Sequence, residues 1–280
     1  MQSIKIVTDS AAHLSPGDVA RYNITVMNSP ILVNDKVFGY INQISEQKFH
    51  QLFDHPSGRP RIGEISVAAL VDTYNQLGAD GSKILSVHLS NKITHTYQNA
   101  RQAAKRSTSD VTVINSQVTA AGLTYQVLTA AKQINRGNAT IETLIPTLAQ
   151  IRDRTQIYFS TPNNAQLVNQ RIIGRFRGQI EKRLNISYII QFINNDFSFI
   201  TRSRKEDLAT TFWDRQLATM HDQSIVQLSI LHTGDPERAD YLYEMLRTEF
   251  PFVPIEKVAT NPEMACFIGS DATGVTYLLG

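Results

Sequence analysis

The strongest constraint on this chain is the way its apolar residues switch period. Ile4, Ile6 and Val7 make a short β-rich run that stops at Thr8-Asp9-Ser10. Ser15-Pro16 then reads as an N-cap with proline at the first helical position, where its missing N–H costs nothing. Val19 and Tyr22 give that helix an apolar face, and Ile24 to Val33 is β-rich again, broken by Pro30, with a turn at Asp35-Lys36. Ser45 precedes a helix carrying Phe49, Leu52 and Phe53, and Pro56, Gly58 and Pro60 then break the chain. Ser66 caps a helix with Leu70, Tyr74 and Leu77 inward and Gly78 as its stop. Lys83–Val87 and Val111–Ile114 read as strands, separated by a helix over Tyr97–Ala104. A helix from Val118 towards Gly137 follows, then one carrying Ile141, Leu144, Leu148 and Ile151, in which Pro146 implies a kink or a later start. Strands alternating with helices predict a parallel sheet flanked by helices, and such sheets hold ligands at the carboxyl ends of their strands. Thr8-Asp9-Ser10, the loop before Ser66 and His88–Thr96 therefore share one rim.

The pattern changes after about Thr155. Ile157–Ser160 is a strand, and Ala165–Arg183 is a basic helical stretch. Ser187–Ile193 and Phe197–Thr201 flank Asn194-Asn195-Asp196, a hairpin signal. Two helices (Glu206–Met220, Pro236–Thr248) and two strands (Ser224–Leu231, Val253–Val258) follow. The expectation is an α/β N-terminal domain over 1–154, completed by 266–280, and a smaller α+β C-terminal domain over 155–265.

Composition excludes several classes. Lys and Arg number 27 against 25 Asp and Glu, so no strong field draws nucleic acid or an anionic membrane. One cysteine, Cys266, rules out a disulfide framework and a cysteine-rich zinc site. No apolar run approaches the ~20 residues of a membrane helix, and Met1–Asp9 does not read as a signal peptide. The expectation is a soluble cytoplasmic protein. There is no P-loop, no G-x-G-x-x-G and no G-x-S-x-G, and the seven histidines form no metal-binding pair. No metal is expected.

Three constellations carry chemistry. Asp9-Ser10 with a histidine is a possible hydrolase arrangement, requiring an imidazole within hydrogen-bond reach of Ser10; the plainer reading is a turn and cap. The basic run Arg171, Arg175, Arg177, Lys182, Arg183 is a solvated or partner-docking helix face, or a phosphate site. The segment Leu89–Gln98 follows a strand, opens a helix and is dense in hydroxyls and amides, which suits an anion or polar head group at a helix N-terminus, or plain capping by Thr94 or Thr96.

The ordered set of Lys5–Ser10, Ser45–Phe53 after Gly39-Tyr40, Ser90–Gln98, Asn115-Ser116 and Ile268-Gly269 resembles the DegV family of fatty-acid-binding proteins along nearly the whole chain. The resemblance implies two α/β domains, an acyl chain buried between them or inside one, and no chemistry by the protein itself. It implies a long-chain fatty acid or related lipid as ligand with no further cofactor, and a fatty-acid kinase as partner. Carried over by position, the head group would meet Gly63, Ser66, Thr94, His95, Gly269, Ser270 and Asp271, with Thr8, Asp9 and Ser10 at the rim. Ile62, Ile172, Ile173 and Phe176 would wall the acyl chain.

The departures from the family pattern cluster at the head group. Ile62-Gly63-Glu64-Ile65-Ser66 stands where the family has T-S-Q-P-S, His95 replaces a glycine, and Asp271 replaces a histidine. Two acids, Glu64 and Asp271, disfavour a carboxylate ligand unless one is neutralised. Either His95 compensates, or the pocket takes an uncharged head group, or the chain is a diverged scaffold that has lost its lipid.

Overall fold

The computed structural model describes residues 3–54, 60–137, 139–162, 166–167, 186–204, 208–234, 236–259, 262–269 and 271–280. The chain divides into two compact units, Met1–Ser45 with Ile62–Asp153, and Glu46–Arg61 with Arg154–Gly280.

The first unit holds β1 (Ile4–Asp9), α1 (Pro16–Tyr22), β2 (Thr25–Met27), β3 (Pro30–Val33) and β4 (Lys36–Tyr40). After α2 (Glu46–Asp54), which belongs to the second unit, and β5 (Arg61–Ile62), it resumes with α3 (Val67–Gly78), β6 (Lys83–His88) and α4 (Thr96–Arg106). It ends with β7 (Val111–Asn115), α5 (Ala121–Asn135) and α6 (Ile141–Arg154). Its main sheet has the order β2-β1-β6-β7 with every pair parallel, as the alternation predicts. Val7 and Ile84 meet Leu70 and Tyr74 of α3 and Ala100 and Ala103 of α4 in a fully buried layer. Each large side chain there contributes about 1.5–3 kcal/mol. The small alanines let α4 lie close to its neighbours.

Ser15 caps α1 as expected, accepting from the Asp18 N–H at 3.0 Å. Gly78 is not the stop of α3. It is the last helical residue, and the left-handed turn falls at Gly81 (φ 83°). Gly78 is required for space instead, because a Cβ there would lie 2.2 Å from Ser109 Oγ. Helix α6 starts at Ile141 despite Pro146 inside it. Helix α5 begins at Ala121, three residues later than predicted, because Gln117 (φ 57°) and Ala120 (φ 49°) hold the preceding loop in left-handed conformations.

The second unit is α+β. It contains β8 (Thr155–Thr161), β9 (Ser187–Ile193), β10 (Asp196–Ser203), α7 (Leu208–His221) and β11 (Ile225–His232). Then come α8 (Pro236–Glu249), β12 (Ile255–Ala259), α9 (Pro262–Ile268) and β13 (Thr273–Leu279). Its sheet is the widest of the three in the chain's described residues, six strands in the order β10-β9-β8-β13-β11-β12, antiparallel except for β11 with β12. Asn194 and Asn195 both have positive φ, the hairpin geometry their sequence demands. One face of this sheet packs Tyr158, Leu228, Ile230, Val275 and Tyr277 against Trp213 of α7 and Leu242 of α8. The Trp213 ring meets Tyr158 edge-on at 6.0 Å and Phe212 at 5.1 Å.

The C-terminal residues do not complete the first domain. Strand β13 is inserted between β8 and β11 of the second unit. Six of its seven residues are buried, and only a central strand covered on both faces accommodates that. Glu46–Arg61 likewise groups with the second unit rather than with 1–154.

Candidate functional site

Strands β1 and β6 run side by side with Thr8 opposite Val87, so Asp9 and His88 finish together. His88 pairs in turn with Asn115 at the end of β7. The loops that leave these ends form the rim the sequence predicts. They are tied to one another: the Ser90 N–H donates to Val118 O (3.2 Å), and Asn115 and Asn91 exchange bonds at 2.9 and 3.2 Å. The Gln126 amide holds Ser116 O at 3.0 Å, and Thr124 Oγ1 donates to Ala12 O at 2.6 Å. The loop before α3 joins the same group. Thr96 Oγ1 accepts from the Ile65 N–H (3.3 Å), and the Asn99 amide donates to Ile65 O (2.9 Å).

Three non-glycine residues in these loops, His13, Gln117 and Ala120, have positive φ. Such conformations cost of order 1–3 kcal/mol each and concentrate where a backbone must be shaped for a ligand. Two buried oxygens at the end of β1, Thr8 Oγ1 and Asp9 Oδ1, have no protein partner.

Below the rim runs a polar chain that sequence reasoning missed. Asp9 Oδ2 accepts from the Leu89 N–H (2.9 Å) and lies 3.3 Å from His88 Nδ1. His88 Nε2 is 2.7 Å from Ser86 Oγ, which is 2.8 Å from the Tyr74 hydroxyl. One wiring accounts for all of these contacts. His88 Nδ1–H donates to Asp9, Nε2 accepts from Ser86, and Ser86 accepts from Tyr74. Burial pushes the Tyr74 hydroxyl up to about 12, so it stays a donor. The order Asp-His-Ser has the connectivity of a hydrolytic triad. Ser86, however, is mid-strand, 0% exposed and already bonded to Tyr74, so no acyl group reaches it. For the reading built on Ser10, the histidine beside Asp9 turns to Ser86, and Ser10 Oγ accepts from the Ser29 N–H at 3.1 Å. The available signal was the i, i+2 spacing of Ser86 and His88, which puts both on one face of a strand.

The predicted head-group residues divide. Gly63 and Ile62 are buried; the Gly63 N–H donates to Pro30 O, and a Cβ there would fall 2.9 Å from Leu32 and Pro30. Ser66 is exposed and caps α3, its hydroxyl accepting from the Ala69 N–H at 3.2 Å. Thr94 is buried beside the start of α4, and its Oγ1 accepts from the Thr96 N–H at 3.4 Å. His95 occupies the N-cap of α4 but makes no capping bond with its side chain. Instead Nδ1 lies 3.3 Å from Glu64 Oε1, with the imidazole 73% and the carboxylate 33% exposed. The new acid and the new histidine therefore face each other.

Gly269 and Asp271 lie in the second unit, in the turn between α9 and β13. Gly269 is the left-handed glycine (φ 99°) after α9, its N–H on Ala265 O and its carbonyl accepting from Thr233 Oγ1 at 2.6 Å. Ser270, Ile172, Ile173, Phe176 and the basic run 171–183 fall outside the described residues. Among those described, no group of three His, Cys, Asp or Glu residues is placed to hold a metal. No helix among them is long and apolar enough to cross a membrane.

These features define the class: a two-unit α/β protein whose parallel sheet presents a polar, strained rim at the carboxyl ends of its strands. A family model described as "Uncharacterised protein, DegV family" matches residues 3–279, and the chain belongs to that family. It is 28% identical over 277 residues to a DegV domain-containing protein of Listeria innocua, covering 99% of both chains. It is 26% identical over 275 residues to one of Streptococcus pneumoniae, covering 98% of both. Among solved structures it resembles DegV, a fatty acid binding protein from Bacillus subtilis, with TM-score 0.84, 19% identity and full coverage of both chains. It also resembles a DegV family protein from Thermus thermophilus described by its fatty acid binding, with TM-score 0.87, 20% identity and full coverage of both.

Proposed function

We propose that this protein binds a long-chain fatty acid or related lipid without transforming it and presents it to a partner such as a fatty-acid kinase. Membership of the DegV family supports the reading, as does a fold shared with proteins described as fatty acid binding. The observation that carries it here is the start of α4. A helix N-terminus whose N-cap residue, His95, makes no capping bond, and whose first N–H is held only by a long bond to the Thr94 hydroxyl, sits in a loop cluster whose backbone is strained. Such a terminus attracts a carboxylate through its N–H groups and partial positive charge.

Thr94 and His95 are assigned to the head group, with Gly63 and Ser66 shaping the loop beside them. Thr8, Asp9 and Ser10 are assigned the floor of the rim. Ile62, Ile172, Ile173 and Phe176 are the proposed acyl wall. Glu64 opposes a carboxylate, and its contact with His95 reduces that repulsion. Each buried CH₂ contributes about 0.8 kcal/mol, so an acyl chain of about sixteen carbons needs only a modest head-group anchor.

The test is solvent extraction of the purified protein with mass spectrometry, followed by titration of the delipidated protein with oleate. The expected result is a bound acyl species and saturable oleate binding. Thr94→Val should weaken that binding several-fold, and Glu64→Gln should strengthen it several-fold at neutral pH. No acyl species together with no oleate binding would overturn the proposal.

A further inference from the structure

A cavity lies wholly within the second unit, lined by none of the rim residues. It encloses about 510 Å³ at one end of the six-stranded sheet. Ser160 and Thr273, paired across β8 and β13, form its base. The first turn of α7, through Thr210, and the first turn of α8, through Arg238, close two sides, and Arg204 after β10 closes another.

The described part of this wall carries positive charge. Its charged side chains are Arg204 and Arg238, and no Asp or Glu stands among the described residues lining it. Two helices of fourteen residues each bring their N-termini to it; among the described residues the first turn of α7 holds no acid, and that of α8 holds Glu237, which does not line the cavity. Trp213 completes the wall. It is 1% exposed, and its indole N–H, which can only donate, has no partner. A buried tryptophan N–H ordinarily has a partner, so this donor is open to an acceptor on a ligand.

Two guanidinium groups, two helix termini and an indole approach the cavity from different sides, an arrangement that suits the three oxygens of a phosphate monoester. The volume falls in the range of small-molecule pockets and exceeds the need of inorganic phosphate. Tyr241 and Leu242 offer apolar surface for the remainder of the ligand. We propose that this cavity is a binding site for a small organic phosphate, held by Arg204, Arg238 and the first turns of α7 and α8, with the Trp213 N–H as its buried donor.

Trp213 is the only tryptophan of the chain, so its emission reports on this cavity directly. The full-length protein is titrated with adenosine 5′-monophosphate and glycerol 3-phosphate, with adenosine, glycerol and oleate as controls. The expected result is a saturable change in Trp213 emission with at least one phosphate ester and none with adenosine or glycerol. Arg204→Ala and Arg238→Ala should each weaken that binding at least tenfold while leaving oleate binding and the melting temperature unchanged. Both arginines are exposed, so these variants fold. No emission change with either ester up to about 10 mM would overturn the proposal, as would equal affinity in both arginine variants. A response to oleate alone would overturn it too, by assigning the cavity to the acyl chain.

Discussion

The two units treat their buried polar groups differently. In the first, the deepest polar side chains are bonded to one another from Tyr74 through Ser86 and His88 to Asp9, which clamps the Leu89 N–H. In the second, the corresponding depth is occupied by rings, and the polar tip of the largest of them, Trp213, is left without an acceptor. The polar chain fixes the positions of the loops above it and leaves Asp9 Oδ1 and the neighbouring Thr8 Oγ1 without a protein partner. An open donor beside a cavity costs stability until something fills it. The first unit thus gives a rigid platform whose chemistry sits on its rim, and the second gives an interior with an unmet need.

Perturbing that contrast should produce graded effects. The largest is expected for Trp213→Ala, which removes the hub of the second core and should cost about 3–5 kcal/mol in urea unfolding. A cost below about 1 kcal/mol would mean that the aromatic cluster is not what holds this unit together. Next is His88→Ala, expected to cost about 2–4 kcal/mol, because it leaves Asp9 buried beside a gap and Ser86 without its acceptor. Ser86→Ala should cost less, about 1–2 kcal/mol, since Asp9 keeps both its partners. If the two variants were equally destabilised, the chain would not be wired in the order described.

A pH effect comes third. Burial lowers His13 to about 4, while in the unfolded chain it titrates near 6.5. The unfolded state binds the proton first as pH falls. Stability is therefore whole above pH 6.5 and declines as pH drops from 6.5 towards 4, by about 1–3 kcal/mol. His13→Asn, which tolerates the left-handed backbone there, should flatten the melting temperature across that window. An unchanged slope would place the acid sensitivity elsewhere. The smallest effect runs the other way. Ala120→Gly should raise stability by about 0.5–1 kcal/mol, because only glycine adopts φ 49°, ψ −140° without strain. Loss of stability would show that the Ala120 methyl matters more than its backbone.

Legibility from sequence followed the range of the interaction. The parallel sheet, the Ser15-Pro16 and Ser66 caps and the Asn194-Asn195 hairpin depend on residues a few positions apart, and all were readable. The rim was readable too, because strand ends in an alternating α/β pattern must face one way. The role of Gly78 was not, since the atom that forbids a side chain there belongs to Ser109, thirty-one positions away. The Asp9–His88 pairing escaped for the same reason: seventy-nine residues separate the partners, and only the parallel register of β1 and β6 brings them together.

The amino-acid order alone determined the element types, the two-part organisation and the family, because local propensity, capping and motif order survive at low identity. Tertiary structure alone decided that β13 enters the middle of the second sheet, that Glu64 meets His95, and that Asp9 ends in a buried chain with His88 and Ser86. Those outcomes depend on which distant strands become neighbours. Strand pairing between distant segments is set by the burial of whole faces at once, and no short stretch of sequence records it.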